Sequence, residues 1–538
     1  MNDDWAYGWS VKILLETGDF QLSDWTATNL LPQVFWGALF CLPFGFSFTA
    51  LRFSTLTLGV IGVITTYLLL REVNSSPKSS LLGALTVAFN PLYFVLSNSF
   101  MSDVPSLTFT ILSLYFLIRG LNKNSNIEII IGIFLSFISI LNRQLAIVIM
   151  PAFSLAYLIK KDLEVKTYLA ALTPSIFGIA LYLSYSHWLR LTERLPLLYS
   201  FQGKQLLESF SRNLIEIIAI YSKNLLIISI YLGLFLFPLL IVRVSIEYKI
   251  LSLWQKRISI SCTYFIVAVV SVYFLVKRLQ MPLVGNVLDS FSLGLQALDG
   301  YNAFLKPTSR FIISAIWQIL TLVGVVGAAL LFQCLLFAIF QIFSLKTDLN
   351  RKYLLILTIS STVLYLLPIA ALKDSWFDRY LILCLPFLLI FISIKMNNVY
   401  KNKPSLKAVI ICLVMLIFCG GFTITATHDY LSWNRVRWQA INDLMQESQI
   451  SPHQINGGFE FNGWYFGNRL EICNPEYQQN TQQTSINWGD FTCLWGQGEY
   501  KYTVSFVPKA AYELEKEYSF KRWLPWRDEK LFVLRKVI

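Results

Sequence analysis

Four short polar stretches carry the residues able to do chemistry. The chain starts MNDDWAY, with Asp3 and Asp4 directly ahead of Trp5 and Tyr7. Residues 97–105, SNSFMSDVP, interrupt two apolar runs and hold a single acid, Asp103. Arg143 and Gln144 split another apolar run, and WFDRY at 376–380 sets Arg379 and Tyr380 before a run containing Pro386. Acids at the mouth of membrane helices usually serve chemistry or transport. An ionised carboxylate can act as a general base or hold a cation. A guanidinium matches phosphate geometry, so an Arg beside an aromatic at the bilayer edge can grip a lipid phosphate.

Each stretch also has a plainer reading. Ser-Asp-Val-Pro suits a helix start, with Asp103 as N-cap and Pro105 in the first turn. The two roles of Asp103 are compatible, because the helix dipole favours the ionised form. Asp3 and Asp4 fit a solvated terminus, although Trp5 and Tyr7 hold them near the membrane surface. Arg143 and Arg379 fit snorkelling or topology-setting residues. Arg190, Arg194, Lys204 and Arg212 are further basic residues that fit a groove lining.

The elements that must position these groups are membrane helices. The chain is 55% hydrophobic and only 14% charged over 538 residues, and apolar runs of bilayer length recur as far as Thr427. About twelve spans are expected, at 48–70, 79–97, 104–121, 127–141, 144–159, 168–187, 224–242, 259–276, 311–344, 353–372, 380–394 and 406–427. Ahead of them, residues 5–17 predict an amphipathic helix in the interface, ended by Gly18, and 34–42 is apolar but too short to cross. The net charge of +12 follows from cytoplasmic loops loaded with Lys and Arg, so no nucleic-acid partner is expected. These basic loops alternate along the chain. The other set, with residues 1–47, the Asp103 loop, the Arg143 break, loops 188–223 and 277–310 and the Arg379 loop, then shares the outer face. A translocated N-terminus with no helix before it leads to the expectation of one further span upstream of Met1.

Three parts result: an extracytoplasmic first loop with the acidic pair and interfacial helices (1–47), a helix bundle (48–427) and a small extracytoplasmic α+β domain (428–538). In the last, 432–447 reads as helix, and 458–466, 502–507 and 530–537 read as strands. Cys473 and Cys493 are its only cysteines and lie on the oxidising side, so a disulfide between them is expected. The other cysteines fall in apolar runs, and no zinc spacing, P-loop, dinucleotide-binding glycine pattern or repeat occurs.

DDWAY…LLETGDF followed by NSFMSDVP resembles the GT-C superfamily of integral-membrane glycosyltransferases, closest in shape to family 39, which includes protein O-mannosyltransferases and lipid A aminoarabinose transferases. DRYLILCLP is similar to the Arg-Tyr helix start of many bacterial members. The resemblance covers about 1–160 well and 370–395 moderately. It implies Asp3 as catalytic base, Asp4 where the family usually has Glu, and Asp103 as the second-loop acid. It further implies a polyprenyl-phosphate-linked sugar as donor, a lipid, glycan or protein acceptor, inversion at the anomeric carbon, and Arg379, Arg143 and Tyr380 at the donor phosphate. A divalent cation, if used, would fall to Asp4 and Asp103. The aminoarabinose-transferring members carry one span more than is read here. The style and brevity of the loops lead to the expectation of a bacterial plasma membrane, and the loop charges to a site facing outward. Two other functions remain open on sequence: a transporter or flippase of lipid-linked sugars, and an inactive relative that binds them. Acids at one face and nearly uncharged spans favour the enzyme.

Overall fold

The computed structural model describes residues 3–161, 164–249, 253–289, 292–294, 298, 310–343, 348–373, 375–397, 404–467, 493–494, 496 and 500–537. It is an all-α bundle carrying a small sheet near its C-terminus. Among the described residues, eight helices are long and apolar enough to cross a membrane, and the bent pair Pro77–Ala88 and Pro91–Ser97 makes up to nine. The shorter apolar helices Asn126–Asn142 and Gln144–Lys160 complete the run of expected spans around Arg143, and Leu385–Asn397 the one after Arg379. Lipid-like exposure marks the outer helices: Phe265, Leu275 and Ile417 are each about 70% exposed.

Helix α1 (Asp4–Thr17) ends at Gly18, whose φ of 72° is the left-handed cap that glycine adopts without penalty. Helix α2 (Leu31–Cys41) follows, too short to cross, then α3 (Phe48–Glu72). The expected span 79–97 is broken. Asn90 ends α4 (Pro77–Ala88) and caps α5 (Pro91–Ser97) through two backbone N–H groups, and Pro91 supplies no donor to continue the ladder, so the pair bends by 65°. The bend re-aims the chain into residues 97–105 and α6 (Asp103–Lys123). Helix α7 (Asn126–Asn142) stops at Arg143, which is extended (φ −139°, ψ 123°), before a 3₁₀ segment (Gln144–Val148) and α8 (Ile149–Lys160).

The expected loop 188–223 is largely helical: α9 (Val165–Leu191), α10 (Leu197–Phe210) and the start of α11 (Leu214–Glu247) occupy it. Two of its basic residues are engaged in ion pairs. Arg194 pairs with Asp19 at 2.7 Å, and Arg212 reaches Glu216. Helices α12 (Leu253–Val276), α13 (Arg310–Phe343), α14 (Leu349–Ala371), α15 (Leu385–Asn397) and α16 (Leu406–Gln446) complete the bundle, with a two-residue hairpin β1–β2 (Leu288–Asp289, Ser292–Leu293) between α12 and α13. Hydrogen bonds tie each of the two expected loop sets to itself. Asn122 bonds Glu72 and Tyr353, and Lys161 bonds Asn124 at one end. Asn29 bonds Ile140, Tyr185 and Tyr199 at the other.

The 41 residues of α16 span about 60 Å at 1.5 Å each, twice a hydrocarbon core of about 30 Å. The expected boundary at 427/428 therefore falls inside one continuous helix. Its far half carries a sheet of order β3-β4-β6-β5 (Ile455–Asn456, Tyr502–Ser505, Trp526–Lys536, Tyr512–Trp523), parallel only between β3 and β4. Asp429 of α16 accepts both the Trp523 and Leu524 backbone N–H groups, anchoring the β5–β6 hairpin. The expected strand at 458–466 is instead α17 (Phe459–Phe466). It turns helical because Phe459, Phe461 and Phe466 bury themselves while Gly463 and Gly467 admit the Trp5 indole. A Cβ at Gly463 would lie 2.2 Å from Trp5 Cε2. Cys493 is disulfide-bonded; Cys473, its expected partner, lies outside the described residues.

Gly463→Ala is expected to cost about 1–3 kcal/mol by overpacking against Trp5. Gly203→Ala, on an open stretch of α10, should be neutral or stabilising. Thermal unfolding of the two proteins in detergent checks the difference, and equal midpoints would contradict the Trp5–Gly463 lock.

Candidate active site

Asp3 sits immediately before α1, and Arg379 lies in a 3₁₀ segment (Asp378–Cys384) that leads into α15. Arg379 Nη2 meets Asp3 Oδ2 at 2.9 Å, across 376 positions of sequence. The other oxygen, Asp3 Oδ1, accepts the Trp25 indole N–H at 2.9 Å. A second pair lies beside the first: Arg143 Nη1 bonds Asp103 Oδ1. The Tyr380 ring lies under both cations, 5.1 Å from the Arg143 guanidinium carbon and 5.8 Å from that of Arg379. Phe377 lies 5.4 Å from Arg379, and Met101 Sδ approaches its Nη1 at 3.8 Å. Tyr7, one helical turn after Asp3, feels Asp3, Arg379, Arg143 and Asp103; burial first, and then the Asp3 charge, push its phenol pKa up.

Long-range bonds fix this geometry. Asn142 Nδ2 reaches Ser102 O at 3.1 Å, joining the end of α7 to the start of α6. Leu30 N donates to Asn142 O, and Gln33 Nε2 to Phe100 O, which stitches the loop before α2 onto both. Leu30 pays for this with φ 59°, a left-handed conformation that costs an L-residue about 1–2 kcal/mol. Asp378 accepts from Val287 and Leu288 N–H as well as from its neighbour Arg379 N, and burial pushes its pKa up to about 7 against those donors.

Asp103 does not cap α6. It is the first helical residue, Ser102 holds the cap position, and the carboxylate makes no bond to the helix N–H groups. Arg143 takes one of its oxygens, and Oδ2, buried, has no partner among the described residues. The acidic pair separates as well. Consecutive helical side chains diverge by about 100°. Asp3 faces the arginines, whereas Asp4 accepts Phe100 N–H at 3.2 Å and borders a second cavity with Arg52 and Glu460. Burial raises the Asp4 pKa. The acids expected for a divalent cation thus do not converge: Asp103 is engaged by a guanidinium and Asp4 lies elsewhere. Among the described residues no three acid, His or Cys side chains gather, and this donor set does not fit a metal.

The structure therefore brings Asp3, Asp103, Arg143, Arg379 and Tyr380 together and sets Asp4 beside them. Sequence reasoning missed Trp25 and Met101, and gave Tyr7 only a part in holding the acids near the membrane surface. It also missed Asp378, which stands inside WFDRY, and Glu460, whose carboxylate binds Arg437 and Tyr430. Trp25 lies between the helix expected at 5–17 and the apolar stretch at 34–42.

Breaking one buried pair leaves an uncompensated charge, worth about 3–5 kcal/mol. Asp103→Leu is expected to lose that much, and Asp103→Leu with Arg143→Leu together to lose less than either alone. Unfolding midpoints of the three proteins check this, and additive losses would contradict a coupled pair.

No curated protein matches the chain in sequence. Among solved structures it aligns with ArnT from Cupriavidus metallidurans in the apo state, over 99% of this chain and 93% of that one, at 9% identity and a TM-score of 0.35. Residues 32–188 match the family model described as dolichyl-phosphate-mannose-protein mannosyltransferase, a region that contains Asp103 and Arg143. The match falls on an integral, multi-pass bundle of membrane helices, and over residues 32–188 the chain is similar to this family of membrane mannosyltransferases.

Proposed function

We propose that the protein moves a sugar from a polyprenyl-phosphate donor to an acceptor hydroxyl at the outer face of a bacterial plasma membrane, with inversion and with Asp3 as general base. The observation that carries this reading is the contact between Asp3 and Arg379, a carboxylate and a phosphate-competent guanidinium at 2.9 Å. An apolar cavity of about 350 Å³ between α4–α5, α11, α13 and α16 supports it. Phe89, Phe235, Trp317, Leu320 and Phe422 are among its lining residues, a surface suited to a prenyl chain. Leu288 also lines it, and its backbone N–H is held at 2.6 Å by Asp378, the residue before Arg379. The lipid tail and the phosphate-binding arginine are thereby joined through two adjacent residues.

In this mechanism the donor phosphate draws Arg379 from Asp3, which frees Oδ2. The acceptor oxygen attacks the anomeric carbon from the face opposite the phosphate, and its proton passes to Asp3. The bond between that carbon and the phosphate oxygen breaks, and the electron pair leaves with the polyprenyl phosphate. Arg379 and Arg143 stabilise the charge developing there. The Tyr380 ring holds both guanidinium groups in place. Asp103 keeps Arg143 oriented.

Removing a positioned base costs about 10²- to 10⁴-fold in rate. Asp3→Asn is expected to lower kcat by that factor, with the KM for donor little changed. Arg379→Lys should raise the donor KM and lower kcat together, since a point charge does not reproduce the guanidinium fork. Turnover of labelled polyprenyl-phosphate sugars by the protein in nanodiscs measures both effects. Normal kcat in Asp3→Asn would sink the assignment of the base.

A further inference from the structure

A second cavity, of about 390 Å³, lies on the other side of α1 from the arginine pairs. Its walls come from four elements: Asp4 and Trp5 of α1, Phe46 to Phe48 with Arg52 at the start of α3, Trp438 of α16, and Glu460 with Trp464 of α17. Its size falls within the range of small-molecule sites. Its lining is unlike that of the prenyl-suited cavity, because two carboxylates and a guanidinium stand among three indoles. Arg52 Nε and Trp5 Nε1 are both buried and have no hydrogen-bond partner among the described residues, and Trp5 as a whole is only 2% exposed.

The combination selects a ligand class. A hydrocarbon chain would set apolar surface against the charged side chains of Asp4, Glu460 and Arg52, which disfavours it. A pyranose ring suits both kinds of wall. Its hydroxyls donate to carboxylates and accept from guanidinium and indole N–H groups. Its C–H faces carry slight positive charge and lie well on the electron-rich face of an indole. The acids are also built in rather than loose. Glu460 is braced by Arg437 and Tyr430, and although burial pushes its pKa up, the Arg437 charge is among the stronger effects that bring it below the usual carboxylate range. Trp464 packs on Phe46 and Phe48, with ring centroids at 5.8 and 5.3 Å.

The position selects a role. Asp4 borders this cavity, and Asp3, the residue before it, faces the arginines. Trp5 of the cavity wall lies 6.3 Å from Trp25, the indole that holds Asp3. We propose that the cavity is a saccharide-binding subsite for the acceptor, with Trp438 and Trp464 against the sugar's apolar faces and Asp4, Glu460 and Arg52 at its hydroxyls. The acceptor of the transferase is then itself a glycan or a glycolipid headgroup. This role rests on the reading of Asp3 as the base; the binding of a sugar does not.

The experiment uses the full chain in nanodiscs and saturation-transfer NMR with three probes: methyl α-D-mannopyranoside, methyl β-D-glucopyranoside and N,N′-diacetylchitobiose. At least one is expected to show saturable transfer in the wild type and equally in Asp3→Asn. Trp464→Ala and Arg52→Gln should each weaken it at least tenfold, the second variant guarding against a packing defect in the first. The same sugar, used as acceptor, should show a KM raised at least tenfold in Arg52→Gln, with kcat within about threefold. Donor consumption without saturable binding of any probe, or binding unchanged in both variants, overturns the subsite and leaves the transferase reading intact. Variant-sensitive binding in a protein that consumes no donor supports the subsite and overturns the transferase reading.

Discussion

Burying charge is what the site end of this bundle has to solve. An isolated ion moved from water into a low-dielectric interior faces an idealised cost of order 20 kcal/mol, so a buried guanidinium must meet a carboxylate or be expelled. Arg143 and Arg379 are both largely buried, and each meets its own acid. These pairings close the fold over long distances. The first acid of the chain is fixed to the segment before α15, and the start of α6 to the break after α7. The helix interruptions at Asn90-Pro91 and at Arg143 follow from the same demand, since unbroken spans would carry these polar groups away from one another.

The pairing also bears on the reaction proposed. The two acids and two cations of these pairs are formally neutral together. A sugar phosphodiester brings one negative charge, and the cleaved polyprenyl phosphate carries one more. Asp3 becomes neutral as it takes the acceptor proton, so the charge gained by phosphate is the charge lost by carboxylate. Arg379 touches Asp3 before the reaction and is placed to follow that charge to the phosphate. Little net charge has to be created in a poorly solvated place, which is the condition under which preorganised groups stabilise a transition state most.

Much of this was legible in the sequence because it is local. The helix at 5–17, its stop at Gly18, the break at Arg143 and the polar interruption at Asp103 are all written in neighbouring residues, and each stands where expected, although the first two turns of that helix are buried nearly all round instead of on one face. What escaped depends on partners far away in the chain. Asp103 looked like a cap because Ser-Asp-Val-Pro is a good helix start; Arg143, 40 positions on, takes its carboxylate instead. Residues 458–466 looked like a strand because the run is aromatic, a propensity overridden when Trp5 packs against Gly463 and Gly467. Trp25 is one indole among fifteen, and only its contact with Asp3 distinguishes it.

The same contact of Trp5 with α17 gives the C-terminal region a part in the site. Helix α16 leaves the bundle without a break, so the sheet it carries is not hung on a flexible linker. Asp429 clamps the β5–β6 hairpin to that helix, Arg437 of the next turns holds Glu460 of α17, and α17 receives the indole of Trp5, two residues from Asp3. These links are backbone and side-chain contacts carried on two continuous helices, α16 and α17. The C-terminal region thus helps to hold the start of α1, where Asp4 at the second cavity and Asp3, the proposed base, are neighbours.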